Sequence, residues 1–326
     1  MKNYMKTKFA IGCLVQWYEV DIIVEYLDSL KDAIDAYDGE VLVDFYISQN
    51  QDLEKCISNE QLDKCVNKIL TAFDDMHHYI NSVNGINEKH LVTVSDYRRE
   101  FNSNYCEQAD VLIWGESDAI LPKQMFIVLD SLHQQVNLDN PKYLGFFGTC
   151  KMWDDTWKVL EHPEFTDKPF IGGDEKNWWS LRYDMTKDEM NTINDKTDEL
   201  DVRIVSPHKF NGCGLVISSE VIKAGVNIPR SVFFVHEDTA FMHMTNKVLG
   251  NIPQYVIKNI LLVHNRKHKN KRKYIKGEDH LADKDPGGKR LTHDWYMKAN
   301  KMCEQNYINL FNPNYKSYTW EDVWKQ

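Results

Sequence analysis

The sequence predicts an α/β protein: a mostly parallel central sheet with helices on both faces, an aromatic-rich insertion, and a helical C-terminal tail. Two observations carry that expectation. The first half alternates short apolar runs with amphipathic helical periods, the βαβα pattern of a parallel sheet. The run Val111, Leu112, Ile113, Trp114 is apolar throughout, as a strand covered on both faces must be. A third observation marks the functional end of that sheet. The run breaks off into Glu116 and Asp118, and residues two apart on an extended chain project to the same side. They would point together into the crevice beyond the strand's carboxyl end, where open α/β sheets bind their ligands.

Taken in order, Phe9 to Val15 form the first strand. A helix follows, with Ile23, Tyr26, Leu27, Leu30, Ile34 and Tyr37 on one face before Gly39 stops it. Val41 to Ser48 make the second strand, and residues 60–81 a helix with Val66, Ile69, Leu70, Phe73 and Ile80 inward. Leu91 to Val94 read as a third strand and 111–114 as a fourth, before a helix over 122–135 opened by Pro122. After a strand near Tyr143–Thr149 the alternation stops. Residues 151–201 are charged and hold Trp153, Trp157, Trp178 and Trp179. Gly212 and Gly214 flank a tight turn into a strand, Leu215 to Ile217. His236, Glu237 and Asp238 open a helix with Phe241, Met244, Val248 and Leu249 on one face. Tyr255 to Val263 form a last strand ending in His264, ahead of a basic segment over 266–276, a loop over 277–293 and a helical tail over 294–326.

At 326 residues the chain is long enough for a complete core, and 42% hydrophobic with 27% charged residues is the composition of a soluble globular protein. No apolar stretch approaches the ~18–20 residues that span a membrane, and the start reads as the first strand instead of a signal peptide. The scattered cysteines, odd in number and without a CxxC pair, favour reduced thiols and a cytoplasmic location. A net charge of −10 argues against coating nucleic acid over the whole surface. Residues 266–276 nevertheless hold seven Lys or Arg and no acid, so this segment is either a solvated loop or an anion contact.

Two adjacent carboxylates are hard ligands that suit Mg²⁺ or Mn²⁺ carrying a diphosphate. His264, at the end of a buried strand, is placed to add a nitrogen ligand, or is simply structural. His268 completes an HxxxH spacing with it, but a zinc site of that kind lacks a third ligand. Glu237 and Asp238 at a helix start are either an N-cap, with acids that complement the helix dipole, or a general base kept ionised by the positive helix end. Trp178 and Trp179, in a polar neighbourhood, offer rings that stack on a sugar or base.

These residues, in this order, resemble the family 2-like glycosyltransferases of the GT-A fold, over roughly residues 8–265. FAIGCLVQWYEVDIIVEYLDSL is similar to their first strand and helix, and WGESDAILP to their Asp-x-Asp metal motif. FNGCGLVIS resembles their acceptor-side strand, HEDTAFMHM their Glu-Asp motif, and His264 their late metal-binding histidine. Two positions depart from the pattern: Glu116 replaces the first Asp, and DFYISQNQD stands where Asp-Asp-Gly-Ser is usual.

The resemblance implies a GT-A domain over 1–265, with a nucleotide-sugar half (8–120), an acceptor half (121–265) and an extension from 266 to 326. It implies a metal-dependent, inverting transfer of a sugar from a nucleotide-diphosphate donor, UDP-type favoured, to a hydroxyl. Asp118, Glu116 and His264 would hold Mn²⁺ or Mg²⁺. Asp238 would be the base, with Glu237 the alternative. Gln16, Glu19, Gln49 and Asp96 would contact the donor, with Arg98, Arg99 and Lys267 as a diphosphate clamp. Gly212, Gly214, Trp178 and Trp179 would line the acceptor side.

The leading acceptor is hydroxymethylated cytosine in bacteriophage duplex DNA. That choice rests on the basic segment, the absence of a membrane anchor, and an Asn-, Lys-, Ile- and Tyr-rich composition typical of AT-rich genomes. A surface or lipid-linked glycan is the alternative acceptor, and a non-catalytic glycan-binding module the alternative role. GCLVQWYEV lacks the glycine-rich opening of a sugar nucleotidyltransferase.

Overall fold

The computed structural model describes residues 5–49, 59–86, 92–152, 180–181, 186–206, 208, 212–265 and 292–325. The first half comprises β1 (Phe9–Gln16), α1 (Ile22–Asp35), β2 (Val41–Ser48), α2 (Asn59–Asp74), β3 (Ser82–Asn84), α3 (Val94–Tyr105) and β4 (Val111–Trp114). Then come β5 (Ala119–Ile120), α4 (Met125–Val136), β6 (Leu144–Met152), β7 (Ser180–Leu181), α5 (Lys187–Asn194) and β8 (Val202–Ile204). β9 (Leu215–Ser218), α6 (Ser219–Lys223), α7 (Glu237–Leu249), β10 (Gln254–Asn265), α8 (Thr292–Ile308) and α9 (Trp320–Trp324) complete the order.

The elements build one sheet in the order β3-β2-β1-β4-β9-β6-β10-β5, with β7 on β6 and β8 on β10. β1 pairs in parallel with β2 and β4, β2 with β3, and β6 with β10. β9 lies antiparallel between β4 and β6. The sheet is therefore mostly parallel, as expected, with the antiparallel β9 in its middle.

Alternation along buried strands divides the core in two. Phe9, Ile11, Cys13 and Val15 of β1, with Val111 and Ile113 of β4, face α1, α2 and α4. Ala10, Leu112 and Trp114 face the opposite way, toward Tyr97 and Phe101 of α3, Val221 and Ile222 of α6, and Phe241 of α7. A strand with a helical layer on each face has no polar side to show, which is why β4 reads as an unbroken apolar run.

Several elements differ from the sequence expectation. The third strand is β3, over Ser82–Asn84; of the expected 91–94 strand, Leu91 lies outside the described residues and 92–94 are instead the entry to α3. Thr93 caps that helix by accepting from the Asp96 N–H, while the Asp96 carboxylate accepts from the Thr93 N–H, a reciprocal box that favours helix over strand. α2 stops at Asp74, and Ile80 lies beyond it. Pro122 does not open α4, which starts at Met125 after a turn closed by Met125 N–H to Pro122 O at 2.9 Å. On α7 the buried face is Glu237, Ala240, Phe241, Met242 and Thr245, whereas Val248 is exposed, because that helix packs through its first turns.

Two irregularities aim the far edge of the sheet. The register of β10 on β6 shifts between Ile257 and Leu261. The amide of Asn194 fills the gap, donating to Leu261 O at 3.0 Å and accepting from Leu261 N–H at 2.8 Å. Beyond the bulge, β10 pairs antiparallel with β5, placing His264 opposite Ala119, one residue after Asp118.

Gly115 closes β4 in a close approach. Its N–H donates to Gly12 O at 2.8 Å, and a Cβ there would lie 2.4 Å from the Tyr26 hydroxyl. That hydroxyl is buried and makes no hydrogen bond. Gly115→Ala should therefore cost about 1–3 kcal/mol by overpacking. Tyr26→Phe should be neutral or stabilising, since it removes a buried hydroxyl without a partner. In a denaturant-unfolding double-mutant cycle, Tyr26→Phe should recover part of the Gly115→Ala loss. Strict additivity would contradict the contact.

Candidate active site

At the carboxyl ends of β1 and β4 a buried guanidinium gathers two carboxylates that are far apart in sequence. Arg98 of α3 is 2% exposed. It donates to Glu237 Oε1 at 2.5 Å, to Glu116 Oε1 at 2.8 Å and to Gly212 O at 3.2 Å. Its guanidinium also lies over the Trp114 ring, 4.8 Å from the centroid. The helix supplies a buried polar stripe at helical spacing, Ser95, Arg98 and Asn102, and Asn102 accepts from Trp114 Nε1 at 2.9 Å.

The second oxygen of Glu116 faces His264. His264 Nε2 lies 3.1 Å from Glu116 Oε2 and 3.5 Å from Asp118 Oδ1. The loop carrying these acids is tied to the end of β1: Glu19 accepts from Ser117 Oγ at 2.6 Å and from Gln16 N–H at 2.8 Å. Cys213 joins the group, with one donor atom each from Glu116, Cys213 and His264 lying within 4.8 Å of one another. Carboxylate oxygens and an imidazole nitrogen converging from separate elements fit a divalent cation.

The charges are strongly coupled. Burial pushes the Glu116 carboxyl up, but His264 and Arg98 outweigh it and hold it at about 2. Burial pulls His264 down, while Asp118 and Glu116 pull harder and leave it above its ordinary value. Burial pushes Glu237 up to about 7, with Arg98 pulling the other way and Asp238 adding to the rise. Arg98 stays charged, the carboxylates of Glu237 and Glu116 overcoming its burial.

The Glu-Asp pair starts α7, but Asp238 is not its cap. The N-cap is His236, at φ 67° in the left-handed region that a residue with a side chain rarely adopts. His236 is backed by α8, its Nε2 lying 3.3 Å from Asn300 Oδ1. The turn before it is held from α3. Thr93 Oγ1 donates to Phe233 O at 2.8 Å, and Arg99 donates to the carbonyls of Ile228, Pro229 and Val232. Asp238 is half-buried beside Gly212, where a Cβ would sit 3.5 Å from its Oδ2.

The structure thus brings together Glu116, Asp118, His264, Glu237, Asp238, Gly212 and the turn at Gly214. Asp96 and Arg99 are not part of this group. Asp96 completes the α3 cap and pairs with Arg99 at 2.8 Å, while Arg99 holds the 228–232 turn. Glu19 is buried and links loops instead of standing open to a base. Gln16 contributes its backbone N–H to Glu19, and Gln49 Nε2 donates to Gly85 O at 3.4 Å. Asp44 is buried, accepting from the hydroxyls of Tyr97 at 2.8 Å and Tyr105 at 3.0 Å. Asn50, Trp153, Trp157, Trp178, Trp179, Lys267, His268 and the 266–276 segment lie outside the described residues. Sequence reasoning missed Cys213 and Ser117, and weighed Arg98 only as a diphosphate clamp.

No family model matches the sequence, and no curated protein matches it. Among solved structures, S. aureus TarS aligns with a TM-score of 0.50 at 12% identity, over 79% of this chain and 36% of TarS. The fold is of the GT-A type. The chain spans little more than a third of TarS, 36% of its length. TarS 1–349 in complex with UDP-GlcNAc gives a TM-score of 0.48 at 11% identity, over 94% of this chain and 76% of that one. Glucosyl-3-phosphoglycerate synthase from Mycobacterium tuberculosis, with Mn²⁺, UDP and glucosyl-3-phosphoglycerate, gives 0.41 at 12% identity, over 80% and 73%. A shared fold does not transfer an activity, which has to be argued from the site. None of the described helices is long and apolar enough to cross a membrane.

Arg98→Met should be strongly destabilising, because it strands Glu116 and Glu237 without their cation. Breaking a buried pair from one side costs about 3–5 kcal/mol. Denaturant unfolding of Arg98→Met and Glu237→Gln checks this. The double variant should be less destabilised than the sum of the two single variants, and a loss below about 1 kcal/mol in Arg98→Met would contradict the hub.

Proposed function

We propose that this protein is a metal-dependent glycosyltransferase that moves a sugar from a nucleotide-diphosphate donor to an acceptor hydroxyl with inversion. The supporting observation is the convergence of Glu116, Asp118, His264 and the Glu237–Asp238 helix start at the carboxyl ends of β1 and β4. Over a hundred residues separate the first acid from the last. A parallel sheet presents its ligand crevice at that end.

Glu116, Asp118 and His264 would hold a divalent cation, Mn²⁺ or Mg²⁺ by the sequence reading. When bound, it neutralises charge on the leaving diphosphate as a Lewis acid. Asp238 takes the proton from the acceptor hydroxyl. It is half-buried at the positive end of α7, whereas Glu237 is buried and engaged by Arg98. Arg98 positions both acids, and Glu19 positions the metal loop through Ser117. Gly212 lets the chain pass close to Arg98 and Asp238, since a Cβ there would lie 2.9 Å from Arg98 Nη1 and 3.5 Å from Asp238 Oδ2. A base-activated hydroxyl attacking from the face opposite the diphosphate inverts the anomeric carbon.

Two reagents test the reading. Asp118→Ala should abolish metal-dependent turnover of nucleotide-sugars while the protein stays folded by circular dichroism. Asp238→Asn should lower kcat by about 10²–10⁴-fold with donor affinity nearly unchanged, as loss of a general base does. Full activity in either variant overturns its assigned role. The acceptor reading, hydroxymethylcytosine in phage DNA, rests on the sequence alone. A screen of nucleotide-sugars with mass detection on hydroxymethylcytosine DNA and on simple glycans decides it.

A further inference from the structure

The Cys213 thiol shares one point in space with the Glu116 carboxylate and the His264 imidazole, each offering a donor atom within 4.8 Å of the other two. Among the described residues no other cysteine belongs to such a group. The thiol is buried, and the turn that carries it is fixed on both sides. Gly212 O accepts from Arg98, and the Gly214 N–H donates to Trp114 O at 3.0 Å. Gly214 has φ +68°, and a Cβ there would meet Leu262 Cδ1 at 2.7 Å, which favours glycine at this turn. Three elements therefore deliver three chemically different donors: oxygen from the loop after β4, sulfur from the turn before β9, nitrogen from the end of β10. Donor atoms around a tetrahedral ion bonded at about 2.0–2.3 Å lie about 3.5 Å apart. Small side-chain rotations close the difference.

We propose that Cys213 is a ligand of the cation at this site, and that its sulfur shifts the site's preference toward thiophilic divalent ions of the Zn²⁺ and Co²⁺ class over Mg²⁺. This rests on the reading of Glu116 and His264 as cation ligands. Mg²⁺ takes oxygen donors and keeps its water reluctantly exchanged, whereas thiolate and imidazole together suit borderline ions. On binding, the S–H bond is replaced by a sulfur–metal bond and the thiol proton leaves to solvent.

The test uses the full chain, stripped with a chelator under anaerobic reducing conditions and titrated with Co²⁺. Wild type should show visible d–d bands together with a near-ultraviolet sulfur-to-cobalt charge-transfer band at one ion per chain. Cys213→Ser and Cys213→Ala, with folding checked by circular dichroism, should lose the charge-transfer band. Their Zn²⁺ affinity should fall by at least about 100-fold, the upper end of what loss of a supporting contact costs, with little change for Mg²⁺. Cys13→Ser should keep the band. Charge transfer that survives in Cys213→Ser, or d–d bands without charge transfer in wild type, would overturn the inference while leaving the cation site in place. Absence of any heat or spectral change with Co²⁺, Mn²⁺ and Mg²⁺ would overturn the cation site itself, and the inference with it.

Discussion

A single buried positive charge organises this site. Arg98 is hydrogen-bonded to the loop after β4, the turn before β9 and the start of α7. Those segments are far apart in the chain, and a side chain from α3 joins them. Taking a guanidinium out of water is expensive unless its donors are matched by acceptors and its charge by opposite charge. Two carboxylates, a carbonyl and the face of Trp114 meet that demand. The arrangement also works in reverse. Glu116 in turn is held toward its anionic form, His264 and Arg98 lowering its carboxyl against its burial.

Much of the fold was legible because the parallel centre leaves no freedom in its pattern. β4 is apolar on both faces, β1 and β2 are mostly so, and α1 shows its inward stripe at Ile23, Tyr26, Leu27 and Leu30. The place of Glu116 and Asp118 was legible for the same reason: the apolar run before them reads as a buried strand, which puts them just beyond its carboxyl end. What failed was local chemistry competing with pattern. Val92, Thr93 and Val94 look like a strand by residue type, yet the Thr93–Asp96 box turns the chain into α3. With that helix start misplaced, Ser95, Arg98 and Asn102 could not be seen as one buried polar stripe. Asp96 and Arg99 were then read as donor contacts, when they hold the cap and the 228–232 turn. Cys213 was hidden for another reason. Its neighbours in space come from residues 116 and 264, and no spacing along the chain announces that meeting.

The geometry of β10 shows how an interior strand can be steered. A bulge would leave backbone groups unsatisfied in a buried place, which costs about 1–3 kcal/mol per group. Asn194 matches Leu261 with both halves of its amide, so the irregularity is tolerated and the strand emerges in the register that sets His264 beside the acids. A helix outside the sheet thereby determines where an imidazole inside the site stands.

The left-handed backbone at His236 has a consequence for how the molecule can be divided. The residues leading up to it are roofed by the C-terminal helices: Phe233 packs with Ala299, Cys303 and Val323, and Asn306 holds Ser231 O at 2.7 Å. Cutting the chain after β10 would leave a sheet with all its strands and a nearly complete core, yet it would bare Phe233 and remove the partner of His236. The unfavourable turn would then be free to relax, swinging the first coil of α7 and its two acids away from Arg98. The sheet-bearing part and the described tail helices thus pack together, even though those helices add no strand to the sheet.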